Sequence, residues 1–319
     1  MSAPSSKFDA FHIKDIHYKE HNGHGIPASV LWPRNAQPGK HPVMVRWHGG
    51  GFVTGTRLYQ DWMGDWTLDL ALRHAAILLM PDHRLMPEAS GLDILSDVHS
   101  FVAWLLDPST LASVLPSNIV PDLDSVLVTG ESAGGWLALQ CGLHAPKKVG
   151  AIIAHYPMLD LRDKQYTADY EKQIFTPPAP QLDRGILREH VAQLKGDEVV
   201  TSATPPARQE LFMSMLQQGS FGRFFGDDET LYPIEMLAKV GEGGVPPTWI
   251  LHGESDSVIP VRGTRRYVEA LGRTHPHAAV HLSLRPGEHG FDLEPPVRLE
   301  DEWVREGLDF VNKYWPSRQ

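Results

Sequence analysis

The chain has 319 residues, 42% hydrophobic and 21% charged, which is enough apolar material for one large domain with an inserted subdomain or for two small domains. Its formal net charge of -10 argues against a phosphate-backbone partner, so no nucleic acid is expected to bind. The single cysteine, Cys141, excludes an intramolecular disulfide.

Residues 1–10 are polar and hold no apolar core of signal-peptide length. No apolar run approaches the ~20 residues that span a bilayer. The expected setting is the cytoplasm, with no membrane span.

Along the chain, Ile13 to Lys19 alternates in polarity, His21-Asn22-Gly23-His24-Gly25 supplies turn chemistry, and Ala28 to Trp32 is apolar. This reads as an antiparallel hairpin opening a sheet. Strands then alternate with helices. Strands are expected over Val43 to Trp47, Ala75 to Met80, Ser125 to Thr129, Val149 to His155, Thr248 to His252 and Ala279 to Leu284. Helices are expected over Met63 to Arg73, Ile94 to Leu106, Ser132 to Leu143, Val261 to Leu271 and Asp301 to Tyr314. Continuous apolar strands separated by helices imply an α/β fold, with a mostly parallel sheet covered on both faces.

Between Asp160 and Pro247 no strand pattern is present. Prolines 177, 178, 180, 205 and 206 interrupt helical patches such as Ile186 to Leu194 and Gln209 to Leu216. A structureless loop of that length does not fit a compact domain. The expected organisation is therefore a catalytic domain of residues 1–159 and 247–319, with residues 160–246 as a helical cap.

Four motifs fall at the carboxyl ends of expected strands. Gly130-Glu131-Ser132-Ala133-Gly134 lies between a strand and a helix, the context of a nucleophile elbow. The tight turn exposes the serine hydroxyl, and the following helix points its N-terminus at developing negative charge. His48-Gly49-Gly50-Gly51-Phe52 can turn bare amides toward an oxyanion, each such donor being worth on the order of 3 kcal/mol. A phosphate loop is the rival reading; no Gly-Lys-Ser/Thr follows, and G-x-G-x-x-G is absent.

His252-Gly253-Glu254-Ser255-Asp256 offers an acid to orient an imidazole, with Asp256 preferred over Glu254. Gly287-Glu288-His289-Gly290-Phe291 offers that imidazole, His289 being the only histidine after the last strand. Ser132, Asp256 and His289 stand in the chain order that such a triad takes on this kind of sheet.

Together with Asp82-His83-Arg84-Leu85-Met86-Pro87-Glu88, these motifs resemble the hormone-sensitive-lipase-like family of α/β hydrolases. The resemblance covers roughly residues 40–160 and 245–315. It implies an α/β-hydrolase fold with a helical cap. It also implies that Gly50, Gly51 and Ala133 donate the oxyanion N–H groups while His48 is structural. His83 departs from the family's usual tyrosine. The family's N-terminal cap helices are nearly missing, which leaves the lid to residues 160–246.

Phe52 and Phe291, beside the motifs, and Phe224 and Phe225, in the insertion, are candidates to bind substrate. The bland account of the insertion's phenylalanines, Phe221 included, is that they hold it onto the body. Cys141 is expected to be a small buried residue, and Glu131 to support the nucleophile rather than react.

Among 17 histidines, His275, His277 and His281 lie close in sequence, but H-E-x-x-H and a cysteine cluster are absent, so no metal is expected. The resulting expectation is a serine hydrolase acting on carboxylic esters of small to medium, largely apolar molecules, with no cofactor. A homodimer is compatible with it. The alternatives are a pathway-specific hydrolase of a lactone, thioester or acetylated natural product, and a non-catalytic ligand receptor on the same fold.

Overall fold

The computed structural model describes residues 6–293 and 297–316. Strands β1 (Phe11–His21) and β2 (His24–Pro33) form the expected hairpin. Asn22 and Gly23 make its two-residue turn at φ of 49° and 74°, the left-handed pair that matches strand twist. The remaining strands are β3 (Gly39–Trp47), β4 (Ile77–Pro81), β5 (Ile119–Glu131), β6 (Val149–His155), β7 (Thr248–Gly253) and β8 (Val280–Arg285). They form one sheet in the order β1-β2-β4-β3-β5-β6-β7-β8. The β1/β2 and β2/β4 pairs are antiparallel, and the rest are parallel.

Side-chain alternation splits the inner strands between two cores. Val43, Val45, Ile77, Leu79, Val126, Val128, Ile152, Ala154 and Ile250 face one layer. Met44, Leu78, Met80, Leu127, Ala151, Ile153, Trp249 and Leu251 face the other. The first layer is covered by α2 (Gly91–Leu106), α4 (Ala133–His144) and α10 (Val261–Thr274); the second by α1 (Asp65–Arg73) and α11 (Glu302–Val311). Burial on both faces is why these strands read as unbroken apolar runs.

Several elements differ from the sequence reading; β2 and β3, for instance, begin at His24 and Gly39 rather than at Ala28 and Val43. Helix α3 (Pro108–Val114) was not anticipated, although Asp107 caps it by accepting from Ser109 N at 2.9 Å and Pro108 opens it. Strand β5 begins at Ile119 rather than Ser125, because Ile119 to Asp122 pair with Gly39 to Pro42 before a register shift.

Between β6 and β7 lie five short α-helices, one 3-10 helix (Glu229–Leu231) and no named strand; the α-helices are α5 (Lys164–Thr167), α6 (Gly185–Gln193), α7 (Gln209–Gln217), α8 (Phe221–Phe225) and α9 (Pro233–Met236). Leu187, Leu211, Met215, Phe221, Phe225 and Leu237 of this segment join the first core layer. Arg208 donates to Glu88 at 2.6 and 3.0 Å, and to the carbonyls of Val53 and Met86. Trp136 Nε1 donates to Leu231 O at 2.8 Å. No described helix is long and apolar enough to cross a membrane.

Candidate active site

Strand β5 ends at Glu131 and α4 begins at Ala133, leaving Ser132 alone at the turn with φ 60° and ψ -119°. A non-glycine residue there is strained, and strain of this kind persists only where neighbours hold it. Ser132 N donates to His155 O at 2.9 Å, and Met158 N donates to Ser132 O at 3.2 Å. A Cβ at Gly134 would strike the Trp47 carbonyl, and one at Gly130 would strike the Gly134 carbonyl. The two glycines let β3, the elbow and α4 approach as closely as they do.

The glycine loop follows β3. Gly50 and Gly51 adopt φ of 105° and 62°, and Val53 N and Thr54 N close the turn on Gly50 O at 3.0 Å each. The amide N–H groups of Gly50, Gly51 and Ala133 have no acceptor among the described residues. His48 sits behind the loop, with Nδ1 against Gly49 O at 2.7 Å and its ring stacked on His83 at 4.8 Å. Burial, reinforced by nearby charge, pushes both imidazoles down to about 4, so each is neutral near pH 7. Glu131 borders the cavity that holds Ser132 and is paired with Arg46. It accepts from Arg46 Nε at 2.8 Å, and Arg46 also donates to the carbonyls of Arg57 and Trp62.

His289 Nδ1 meets Asp256 Oδ2 at 2.8 Å. The other oxygen of Asp256 accepts from Val258 N at 3.0 Å and Ile259 N at 2.7 Å. Burial acts to raise the Asp256 carboxyl, but His289 and His252 outweigh it and hold it at about 2. Glu254 instead points to Arg265 at 3.6 Å, half exposed. Glu288 Oε2 accepts from Ser257 N, Ser257 Oγ and His289 N at 2.9, 3.0 and 3.2 Å, tying the histidine loop to the aspartate loop. Sequence reasoning passed over Glu288; its position beside His289 was the only local signal.

Ser132 and His289 line one cavity of about 480 Å³. Its apolar walls are Trp62, Tyr156, Phe175, Leu182, Phe212, Met213, Val258 and Leu293, with Gln209 and Glu210 as polar groups from the first turn of α7. The four phenylalanines read as substrate-binding candidates are not among its lining. Phe52 and Phe225 are fully buried, packed on each other at 5.3 Å and on Trp136. Phe224 lies against Arg223, and Phe291 against Tyr156 and Trp303. The insertion faces the cavity with Phe175 and Phe212 and uses Phe221 and Phe225 for attachment.

Cys141 is buried on α4, its thiol pushed up to about 12 by burial. Among the described residues no group of three or more His, Cys, Asp or Glu side chains is placed to hold a metal ion.

A sheet of this order, with a strained serine at a strand-to-helix turn and a His–Asp pair on adjacent loops, defines the class of α/β hydrolases. A family model described as alpha/beta hydrolase fold matches residues 44–292, and the chain belongs to that family. It is 37% identical over 322 residues to the probable carboxylesterase M8 of Phoma sp. (strain ATCC 20986 / MF5453), covering 98% of each chain. It is 26% identical over 359 residues to the non-reducing polyketide synthase ausA of Aspergillus calidoustus, where 95% of this chain matches 14% of the synthase. A solved structure of fungal esterases from Rhizomucor miehei superposes with a TM-score of 0.59 at 19% identity, over 95% of this chain and 85% of that one, a likeness of fold.

Proposed function

We propose that the chain is a carboxylic ester hydrolase working through an acyl-enzyme on Ser132. The observation that carries this reading is the His289–Asp256 hydrogen bond of 2.8 Å, on a cavity that also holds Ser132. His289 Nε2 takes the Ser132 proton as Oγ attacks the ester carbonyl, and Asp256 stabilises the imidazolium. The carbonyl oxygen becomes an oxyanion held by the amides of Gly50, Gly51 and Ala133, whose lack of protein acceptors supports that role. Collapse of the tetrahedral adduct expels the alcohol with the proton from His289. Water, deprotonated by the same imidazole, then releases the acid and restores Ser132.

The substrates in this reading are small to medium, largely apolar and uncharged. No Lys or Arg is among the residues lining the cavity; of its two carboxylates Glu131 is paired with Arg46, whereas Glu210 has no ion pair among the described residues. An anionic ester would therefore meet an uncompensated like charge. Residues 160–246 serve as the cap, since Phe175, Leu182, Phe212 and Met213 supply much of the apolar wall. The relative M8 is named a probable carboxylesterase, which supports the reaction class. A cytoplasmic setting belongs to the same reading, supported by the single buried thiol.

The test is fluorophosphonate labelling of wild type and Ser132→Ala, with hydrolysis of p-nitrophenyl esters. Wild type labels and turns over; Ser132→Ala loses labelling and at least about 10⁴-fold in kcat. Labelling that persists in Ser132→Ala overturns the assignment, and tight ligand binding with neither labelling nor turnover favours a receptor. Glu210→Gln narrows the preference for p-nitrophenyl butyrate over mono-p-nitrophenyl succinate, with hydrolysis of the neutral ester retained.

A second reading is favoured by the match to polyketide synthases along 95% of this chain: a dedicated hydrolase of a lactone, thioester or acetylated natural product. Rates on short p-nitrophenyl esters far below those on components of a metabolite extract select it.

A further inference from the structure

A second hydroxyl–imidazole–carboxylate chain runs behind the first. Thr129 Oγ1 lies 3.0 Å from His155 Nε2, and His155 Nδ1 lies 2.9 Å from Asp292 Oδ2. Thr129, His155 and Asp292 are 0%, 1% and 2% exposed, so this set is shut off from substrate and is not a second reaction centre. Trp66 closes it from α1, stacked on the His155 ring at 5.0 Å and donating Nε1–H to Asp292 Oδ2 at 3.3 Å.

Its placement relates it to catalysis. Thr129 is three residues before Ser132, and Asp292 is three residues after His289. His155 touches both sides: its carbonyl accepts the Ser132 N–H at 2.9 Å, while its ring holds the Asp292 carboxylate. The next residue, Tyr156, has a left-handed φ of 34° and sets its ring edge-to-face with His289 at 4.6 Å. The phenol also lies beside the Asp292 carboxylate.

We infer that Thr129, His155 and Asp292 form a buried positioning relay that holds the His289 loop in register with the Ser132 elbow. The inference rests on the Ser132–His289–Asp256 reading. His289 sits in a loop after β8, outside regular structure, and Asp256 grips only one ring nitrogen. That bond and the Glu288 staple both tie the loop to the Asp256 loop, on the β7 side. Asp292 supplies the anchor on the other side, fixed to the end of β6, the strand paired with β5 that carries the elbow. Partners one layer out from reacting groups commonly act this way, and a displacement of about 1 Å costs on the order of 100-fold in rate. All three members are positioning residues, since none touches the cavity that holds Ser132.

The test compares Asp292→Asn and Thr129→Val with wild type, counting active sites with a fluorophosphonate and following the His289 Nδ1 proton by NMR. Asp292→Asn is expected to lower kcat per titrated site by roughly 10- to 100-fold with KM within about twofold, and to broaden or shift that resonance. Thr129→Val gives a smaller loss of kcat in the same direction. A folded Asp292→Asn protein with wild-type kcat and an unchanged resonance overturns the inference. If Asp292→Asn does not fold, Thr129→Val decides, and an unaltered kcat and resonance there overturn it. Ser132→Ala run alongside separates the two claims: activity surviving in that variant defeats the assignment of Ser132 as the nucleophile, whereas the resonance still reports on the relay.

Discussion

His48 and His83 face each other beneath the glycine loop; neither Nε2 makes a hydrogen bond among the described residues, and His48 Nε2 lies 3.5 Å from Asp82 Oδ1. Both folded-state values are depressed to about 4 from 6.5, so the unfolded chain binds protons more readily between those limits. Stability from the pair is complete above pH 6.5 and is lost as pH falls toward 4. The shift corresponds to roughly 3 kcal/mol per histidine, less than additive because protonating one opposes protonating the other. Urea unfolding at pH 7 and pH 5 should show the loss, and His83→Phe should flatten it. An equal slope in that variant would place the acid sensitivity elsewhere. Asp256, depressed to about 2 from 3.8, contributes stability present above pH 3.8 and lost between 3.8 and 2, a separate and lower window.

At this scale Ser132, Asp256 and His289 could be proposed from local motifs, because each lies in a short turn whose glycines and strand context are contiguous. Phe52, Phe224, Phe225 and Phe291 could not be sorted from Phe175 and Phe212, since a phenylalanine looks the same whether it faces a core or a cavity. His155 and Asp292 are 137 residues apart and carry no local signature.

Among the elements, the insertion depends on Glu88. That carboxylate takes Arg208 from the residue before α7 and His190 Nε2 from α6 at 2.9 Å. Burial acts to raise it, but Arg208 outweighs burial and keeps it charged. Glu88→Gln leaves a partly buried guanidinium without its anion, a change that costs about 3–5 kcal/mol in buried pairs and less here because Arg208 is partly exposed. The expected result is a lower Tm and faster hydrogen exchange across residues 185–217, with β5 and β6 unchanged. Exchange that rises uniformly would mean Glu88 supports the whole fold rather than the insertion. The strands at this scale were legible because two-sided burial demands unbroken apolar runs. Helix α3 was not, because seven residues are too few for periodicity to show, although its Asp-Pro start was visible.

For the molecule as a whole, the insertion and the sheet share one apolar layer: Leu211, Met215 and Phe221 belong to the same cluster as Val45, Val128 and Trp136. A segment whose apolar side chains are completed by the body has no separate core to unfold. Tryptophan fluorescence and far-ultraviolet circular dichroism should therefore report coincident urea transitions. A circular-dichroism transition that precedes the fluorescence transition would show residues 160–246, which hold no tryptophan, melting as an independent unit.

The residues alone settle the α/β alternation, the mostly parallel sheet and the elbow, because these follow from side-chain period, turn chemistry and contiguous glycines. Which phenylalanines wall the cavity, that Glu288 staples two loops, and that His155 reaches Asp292 were decided only by tertiary structure. Those relations depend on which side chains a folded sheet brings together from distant parts of the chain, and no local pattern encodes that distance.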